Sequence, residues 1–543
     1  MSHALQRLRA NHFLEIALLC ALAVGVYALS LTLGFAYDDV VIVKGDVRVT
    51  QFQLANILTK PYWTTPGFAL YRPLVTLSFA VDWAVSGGNA AWFHAVNALW
   101  HALATAMLFV FLLAWFRVRP ALLGAVLFAV HPVHVEAVAN VVGRAELMAG
   151  TLFLAAAALW AHQRPVARWP RLALVCALFA LAILCKEIAV TLPAILVLID
   201  AARDRWNAAV LLRYLRERAV EYIALSVTLA AVLFLRSFYA GGATPTQLDP
   251  VMEVTRNAGD RALTALQMWP HVMRLMLYPD QLLADYGPRV LMPADGWGQL
   301  PILGAVILGS LIAGGLLAWD RGKGLVALVL LWLPITLLPV ANLLFPIGVM
   351  LAERTLYIPS IAVSIGLAWL ATEAGALSLP IRRTLGFGLA AALVLMAVRV
   401  QTRTLDWDST DSIMMAQLRD RPDSFRAMWH AARMSRRDGK PQISAQQYQD
   451  ALQLWPYRQR LVVEAVAYLT YRRDLVGAQR IARWGSQRWP ANIELQRLLA
   501  ANALDFGDTV SARAAIAAGL KISPSDSLLN RMSSALESKS SSR

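Results

Sequence analysis

Cysteine is nearly absent: Cys20, Cys176 and Cys185 are the only 3 in 543 residues. All fall inside apolar runs without paired spacing, so neither a disulfide framework nor a thiolate metal site follows. A zinc site built on histidine is also poorly served. His131 and His134 stand at i, i+3 with Glu136 beside them, but Pro132 interrupts the helix and no third histidine is near in sequence. Acidic excess is lacking as well, the formal net charge being +15. Much of that charge lies in short loops between apolar runs, where Lys and Arg set topology, so no nucleic-acid partner is called for.

What is present is hydrophobic: 58% of the chain. Apolar stretches long enough to cross a bilayer recur between residues 13 and 400, more than the core of a soluble protein could hide. The expected fold is all-α and polytopic, with about eleven transmembrane helices near 12–34, 92–116, 120–138, 145–163, 171–186, 188–202, 219–239, 299–318, 324–345, 355–372 and 382–400. The first run is too long for the core of a signal peptide and is expected to be a retained helix. With a cytoplasmic N-terminus, the inside loops RLRANH, RVRP, RPVARWPR, RDRWNAAVLLRYLRER, DRGKG and PIRR all carry basic residues, as the positive-inside rule requires. Segments 35–91 and 240–298, the hinge near 131–146, the turn at Lys186 and Glu187, and 346–354 then lie outside. The patch at 262–279 is either interfacial or a further span.

From about residue 401 the sequence turns polar and helix-prone. Pro422, Pro456, Pro490 and Pro524 recur every 34 residues, and small residues (Ala451, Gly485, Gly519) stand five ahead of the last three. That period is the tetratricopeptide pattern, an α-solenoid of paired helices. The expected organisation is a membrane domain at 1–400, a linker at 401–423, about three repeats at 424–530 and a disordered tail at 531–543. With an odd number of spans the repeats are outside.

Ionisable groups at membrane depth are costly and mark function. In HPVHVEAVANVVGRAE, residues 131–146, the groups His131, His134, Glu136, Asn140, Arg144 and Glu146 sit where one span leaves the bilayer and the next returns. Asp38 and Asp39 follow the first span on the same side, where they could serve as a base, hold a divalent cation such as Mg or Mn, or cap a helix. Arg72, His94, Asn97, Lys186, Glu187, Glu353, Arg354 and Tyr357 are drawn to that face too. A carboxylate cluster with several cations suits a transferase acting on a phosphate-linked donor: the carboxylate takes the proton of the attacking hydroxyl, and Lys or Arg neutralises the leaving phosphate. The plainer alternatives are local ion pairs, Lys186 with Glu187 and Glu353 with Arg354, and a packing role for His101.

The ordered series YDD, YRPL, FHAVNALWH, HPVHVEAVANVVGRAELMAG, LCKEIAVTLP and LAERTLYIPS, followed by a 34-residue repeat, resembles the transmembrane and tetratricopeptide-repeat O-mannosyltransferase family and its bacterial relatives. The resemblance implies a C-type glycosyltransferase fold and an inverting hexosyl transfer from a polyprenyl-phosphate sugar on the outer face. It places the catalytic base at Asp38 or Asp39, with Asp38 favoured, and Arg144, Lys186 and Arg354 at the donor phosphate. Arg72, His94, Asn97, His131, His134, Glu136, Glu146, Glu187, Glu353 and Tyr357 then line the substrate cavity. The acceptor is expected to be Ser or Thr of exported proteins engaged by the repeats; a lipid or polysaccharide acceptor, or a non-enzymatic scaffold, are the rival readings. Short Arg-rich loops point to a bacterial inner membrane, and three repeats are fewer than in the family's animal members.

Overall fold

A computed structural model describes residues 12–64, 70–162, 168–203, 214–240 and 249–541. Most of RLRANH and RDRWNAAVLLRYLRER, the start of RPVARWPR, parts of both long outer segments, and residues 542–543 lie outside the described residues. Among the described residues every regular element is helical. The chain divides into two compact units, one of residues 1–287 with 291–413 and one of 288–290 with 414–543.

The first unit holds α1 (Phe13–Val26), α2 (Pro73–Ser86), α3 (Ala90–Leu112), α4 (Val118–Val130), α5 (Arg144–Ala161), α6 (Arg168–Cys185), α7 (Leu192–Arg203) and α8 (Ala219–Tyr239). They are followed by α9 (Ala258–Leu266), α10 (Met268–Leu277), α11 (Gln299–Asp320), α12 (Gly324–Leu337), α13 (Ile361–Glu373) and α14 (Leu379–Leu405). Each of the eleven expected spans coincides with a helix. Among the described residues 6 helices are individually long and apolar enough to cross a membrane, with a seventh if α4 and the turns after it count as one span bent by 47°. The rest are shorter: α1 ends at Val26 and gives way to the 3-10 turn Ala28–Thr32, and α7 starts only after the 3-10 turn Glu187–Thr191. The 262–279 patch is two helices, α9 and α10, meeting at Gln267, and neither is of spanning length.

The helix α3 is the hub, packed on α1, α4 and α5. Close crossings depend on glycine: a Cβ on Gly124 of α4 would lie 2.7 Å from the Ser364 carbonyl oxygen of α13. Between α4 and α5 the chain makes a buried excursion of three short helical turns, Pro132–His134, Val135–Ala139 and Val141–Gly143. Pro132 at the first position stops α4 and starts the first turn. Because α3 to α6 run antiparallel with short connections, this excursion lies at the same end as Arg72, the N-terminus of α3 and the C-terminus of α6.

The expected linker at 401–423 is not one. α14 continues to Leu405, Trp407 is buried, and the units divide at 413/414. The segment is held by the loop before Asp38: Gly34 N–H donates to Asp408 O at 3.2 Å, and Tyr37 N–H donates to Thr410 Oγ1 at 2.8 Å. Burial of the apolar Val400 and Trp407 packs the end of this helix against the rest of the first unit.

After α15 (Thr410–Asp420), the second unit stacks α16 (Phe425–Arg437), α17 (Pro441–Leu454), α18 (Gln459–Tyr471), α19 (Leu475–Arg488), α20 (Ile493–Asp505), α21 (Thr509–Ile522) and α22 (Ser527–Ser541). First helices begin at 425, 459, 493 and 527 and second helices at 441, 475 and 509, each series stepping by 34. Recurrent N-caps set these starts: Ser424, Asn492 and Asp526 for first helices, Asp474 and Asp508 for second. Gly485 admits Val462, whose Cγ1 would be 2.9 Å from an added Cβ. The tail expected to be disordered from 531 is instead helical to Ser541, because Leu529 and Leu536 bury against the preceding pair.

Gly143 gives a direct test of the excursion. An added Cβ would sit 2.7 Å from the carbonyl carbon of Ala137, backbone that cannot yield. Gly143→Ala should therefore destabilise the folded chain by ~3 kcal/mol, in the range of core overpacking, read as a lower midpoint of thermal unfolding in detergent, whereas Gly386→Ala, with open space around it, should not.

Candidate active site

Asp39 is completely buried, and its carboxylate accepts three backbone N–H bonds, from Ala36 at 3.2 Å, Val141 at 3.2 Å and Val142 at 2.8 Å. It therefore pins the first loop to the excursion, and caps no helix through its side chain. Burial pushes its carboxyl up to about 7, against the pull of the three donors, with the Asp38 charge adding to the rise. Asp38 is half-buried and electrostatically coupled to Tyr62 and Arg354. The two acids differ in kind: one is enclosed by main chain, the other opens on the charged cluster.

That cluster is assembled from ends of distant helices. Arg72, before α2, makes a two-pronged contact with Glu187 at 2.8 and 3.2 Å, and Arg236 of α8 reaches the same carboxylate at 3.8 Å. Lys186 pairs with Glu146 of α5 at 2.7 Å. Arg354 pairs with Glu136 through its guanidinium and also donates its backbone N–H to it at 2.9 Å. Among the described residues the local pairs Lys186–Glu187 and Glu353–Arg354 are not formed; each residue turns instead to a different element. Burial would raise Glu187, but Arg72, Arg236 and Lys186 outweigh it and hold it down at about 2. Burial, with Arg72 nearby, lowers Lys186, and Glu136 and Asp38 raise Arg354 against its burial.

Arg144 departs from its expected place at a donor phosphate. It is 0% exposed and its donors are taken: Nε by Asn97 at 2.8 Å, Nη1 by Asp82, Nη2 by the Phe93 carbonyl at 3.0 Å, with the Phe79 and Phe93 rings over it. It is a strut beneath the cluster. Asn97 completes it, its amide donating to the carbonyls of Val138, Asn140 and Val141 at 3.2 Å each. The expected cavity-lining histidines and Tyr357 are cross-links of the same kind: His94 to Gly34 O at 3.0 Å, His131 to Met276 O at 3.1 Å, His134 to Phe128 O and Ser360, and Tyr357 to His101 at 2.8 Å. All four are buried, and His101 is the satisfied packing residue its apolar face implies.

Glu353 accepts from Tyr286 Oη at 2.7 Å and from Leu283 N–H, and burial lifts it to about 7, with Arg403 opposing and Glu136 adding to the rise. Arg403 is the residue that sequence reasoning missed, having been assigned to a linker. It is 1% exposed, binds Asp406 at 2.9 Å through Nη1, and its Nε and Nη2 have no partner among the described residues. The only signal in the sequence is an arginine one turn before a tryptophan at the end of the last apolar helix. Asn140, buried with neither amide atom partnered among the described residues, is a second such group within the excursion. Among the described residues no group of three or more His, Cys, Asp or Glu side chains could hold a metal ion.

No family model matches the chain. Protein O-mannosyl-transferase TMTC3 of Mus musculus is 27% identical over 75% of this chain and 47% of its own length. Protein O-mannosyl-transferase Tmtc1 of Drosophila melanogaster is 28% identical over 74% of this chain and 57% of its own. Tmtc2 of the same fly is 32% identical over 50% of this chain and 30% of its own. The chain spans about half the length of the curated relatives in the first two of these matches.

Glu353 titrates higher in the fold than its ordinary 4.5. The stability it contributes is therefore complete below about pH 4.5 and is lost as pH rises through about 7. Glu353→Gln keeps a carbonyl oxygen for Tyr286 and Leu283, so the variant should show a flatter fall of Tm between about pH 5 and about pH 8 than the wild type. An identical fall in both would remove Glu353 as its source.

Proposed function

We propose that this chain, similar to the TMTC proteins over about three quarters of its length, is a membrane glycosyltransferase that moves a sugar from a polyprenyl-phosphate donor to Ser or Thr hydroxyls of exported proteins. Mannose is the sugar in its relatives' names. The working face is the periplasmic side of a bacterial inner membrane, since the connections at the opposite end carry Arg117, Arg119, Arg321, Lys323, Arg382 and Arg383.

The observation that carries this reading is the contrast between the two adjacent acids. Asp39 is spent on the backbone, and Asp38 stands half-exposed beside Arg354 within a group of cations. In the proposed step Asp38 accepts the proton of the acceptor hydroxyl as its oxygen bonds to the anomeric carbon from the face opposite the phosphate. The bond between that carbon and the phosphate oxygen breaks, and its electron pair leaves with the lipid phosphate, inverting the centre. Arg354 and Lys186 neutralise the growing phosphate charge, and Arg403 supplies the donors on its unmatched Nε and Nη2. Ion pairing with Glu136 and Glu146 holds the two cations in place before the donor arrives, so little reorganisation is needed when charge develops.

The test offers radiolabelled mannosyl and glucosyl polyprenyl phosphates to purified protein in nanodiscs with a periplasmic protein extract. Label should move onto protein with wild type. Asp38→Asn should fold normally and lose on the order of 100-fold or more in transfer, whereas Asp39→Asn, which sets an amide N–H against a backbone donor, should lose thermal stability first. Label on lipid alone would replace the protein acceptor with a lipid one, and full transfer by Asp38→Asn would remove it as the base. Arg354→Ala should cost about 100-fold in transfer, as for the loss of one oxyanion donor.

A further inference from the structure

We propose that the repeat array carries a separate groove that binds an extended acidic segment of a protein chain. Along α19, Val476, Gln479, Arg480, Arg483, Trp484 and Gln487 recur at i, i+3, i+4, i+7, i+8 and i+11, a single helical face. Phe506, at the end of α20, stands across from them, and together they line a cavity of about 380 Å³.

Gln479 is the telling residue. Its side-chain nitrogen and oxygen are both shielded from solvent, and neither has a hydrogen-bond partner among the described residues. A shielded amide left unmatched is costly. One donor and one acceptor on the same planar group match the N–H and C=O of a peptide unit, which satisfies both at once. A phosphate could satisfy only the donor.

The walls add the remaining chemistry. Trp484, Phe506 and Val476 are 36%, 51% and 68% exposed, so the groove offers unburied apolar surface. Tyr457 extends its edge, its ring centroid 6.4 Å from that of Trp484. Arg480 is exposed on this face, and Arg483, held by Ser511 at 3.2 Å and by Asp508 at 3.7 Å, stands one turn along. Residues 414–543 as a whole contain 20 Lys and Arg against 11 Asp and Glu. An occupant with carboxylates flanking an aromatic or aliphatic side chain answers all three features. The groove would thus select acceptors by an acidic-apolar stretch near the modified hydroxyl, a meaning that rests on the transfer proposed above.

The experiment measures fluorescence anisotropy of a labelled 12-residue peptide of Glu, Phe and Ser against the full chain in nanodiscs, beside the same peptide with Lys for Glu. The acidic peptide should bind and the basic one should not. Gln479→Ala, and Arg480→Glu with Arg483→Glu, should each weaken binding about 10-fold or more with an unchanged unfolding midpoint, while Asp38→Asn binds as wild type. Equal binding of the two peptides, or wild-type affinity in Gln479→Ala, overturns the proposal, as does displacement by an oligonucleotide that leaves Gln479→Ala unaffected. Intact binding without any sugar transfer would sink the transferase reading and leave the groove standing.

Discussion

The carboxylate of Asp39 is the constraint on which the rest of the site depends. A main chain that leaves helical geometry inside a protein exposes N–H groups that must find acceptors or cost several kcal/mol in total, at ~1–3 kcal/mol each. Val141 and Val142 are two such groups, at the point where the excursion between α4 and α5 turns back, and Asp39 answers both while also closing its own loop through Ala36. Asn97 answers the carbonyls of the same stretch and hands its oxygen to Arg144. The irregular backbone that carries Glu136 and leads into α5 with Glu146 is held because polar side chains from two other elements, Asp39 and Asn97, take up its unpaired groups.

On that base the charges are arranged as crossed pairs. Lys186 and Glu187 are neighbours in sequence but point to α5 and to the loop before α2; Glu353 and Arg354 diverge in the same way. Each ion pair therefore ties two separate elements. Pairs of this kind contribute little net stability once desolvation is counted, but they fix position strongly, since losing one partner leaves a buried charge exposed to the low dielectric. In the proposed transfer, cations already fixed in place are what a leaving phosphate needs.

Legibility in the sequence followed the physics of each feature. Apolar runs against short basic loops disclosed the helices of the first unit, because burial in lipid demands long uninterrupted hydrophobicity. The 34-residue recurrence disclosed the helix pairs of the second, because identical caps and small residues repeat at identical spacing. Glu136, Glu146, Lys186 and Arg354 stood out as members of one charged cluster because charge beside an apolar run is rare. Arg403 was not, since a single arginine in QTRTLDWD looks like any solvated helix end, and only the burial of Trp407 and the contact of Asp408 with Gly34 reveal where it lies.

The sequence by itself determined the helical class, the two-part organisation and the set of polar motifs gathered at one face, all of which depend on local periodicity and on the cost of placing polar groups beside apolar ones. Only the tertiary structure decided which member of each motif is enclosed within the fold and which stands in the charged cluster. Asp39 and Arg144 look as reactive in sequence as Asp38 and Arg354, and they differ solely in which main-chain and side-chain partners the packing of distant helices brings within hydrogen-bonding distance.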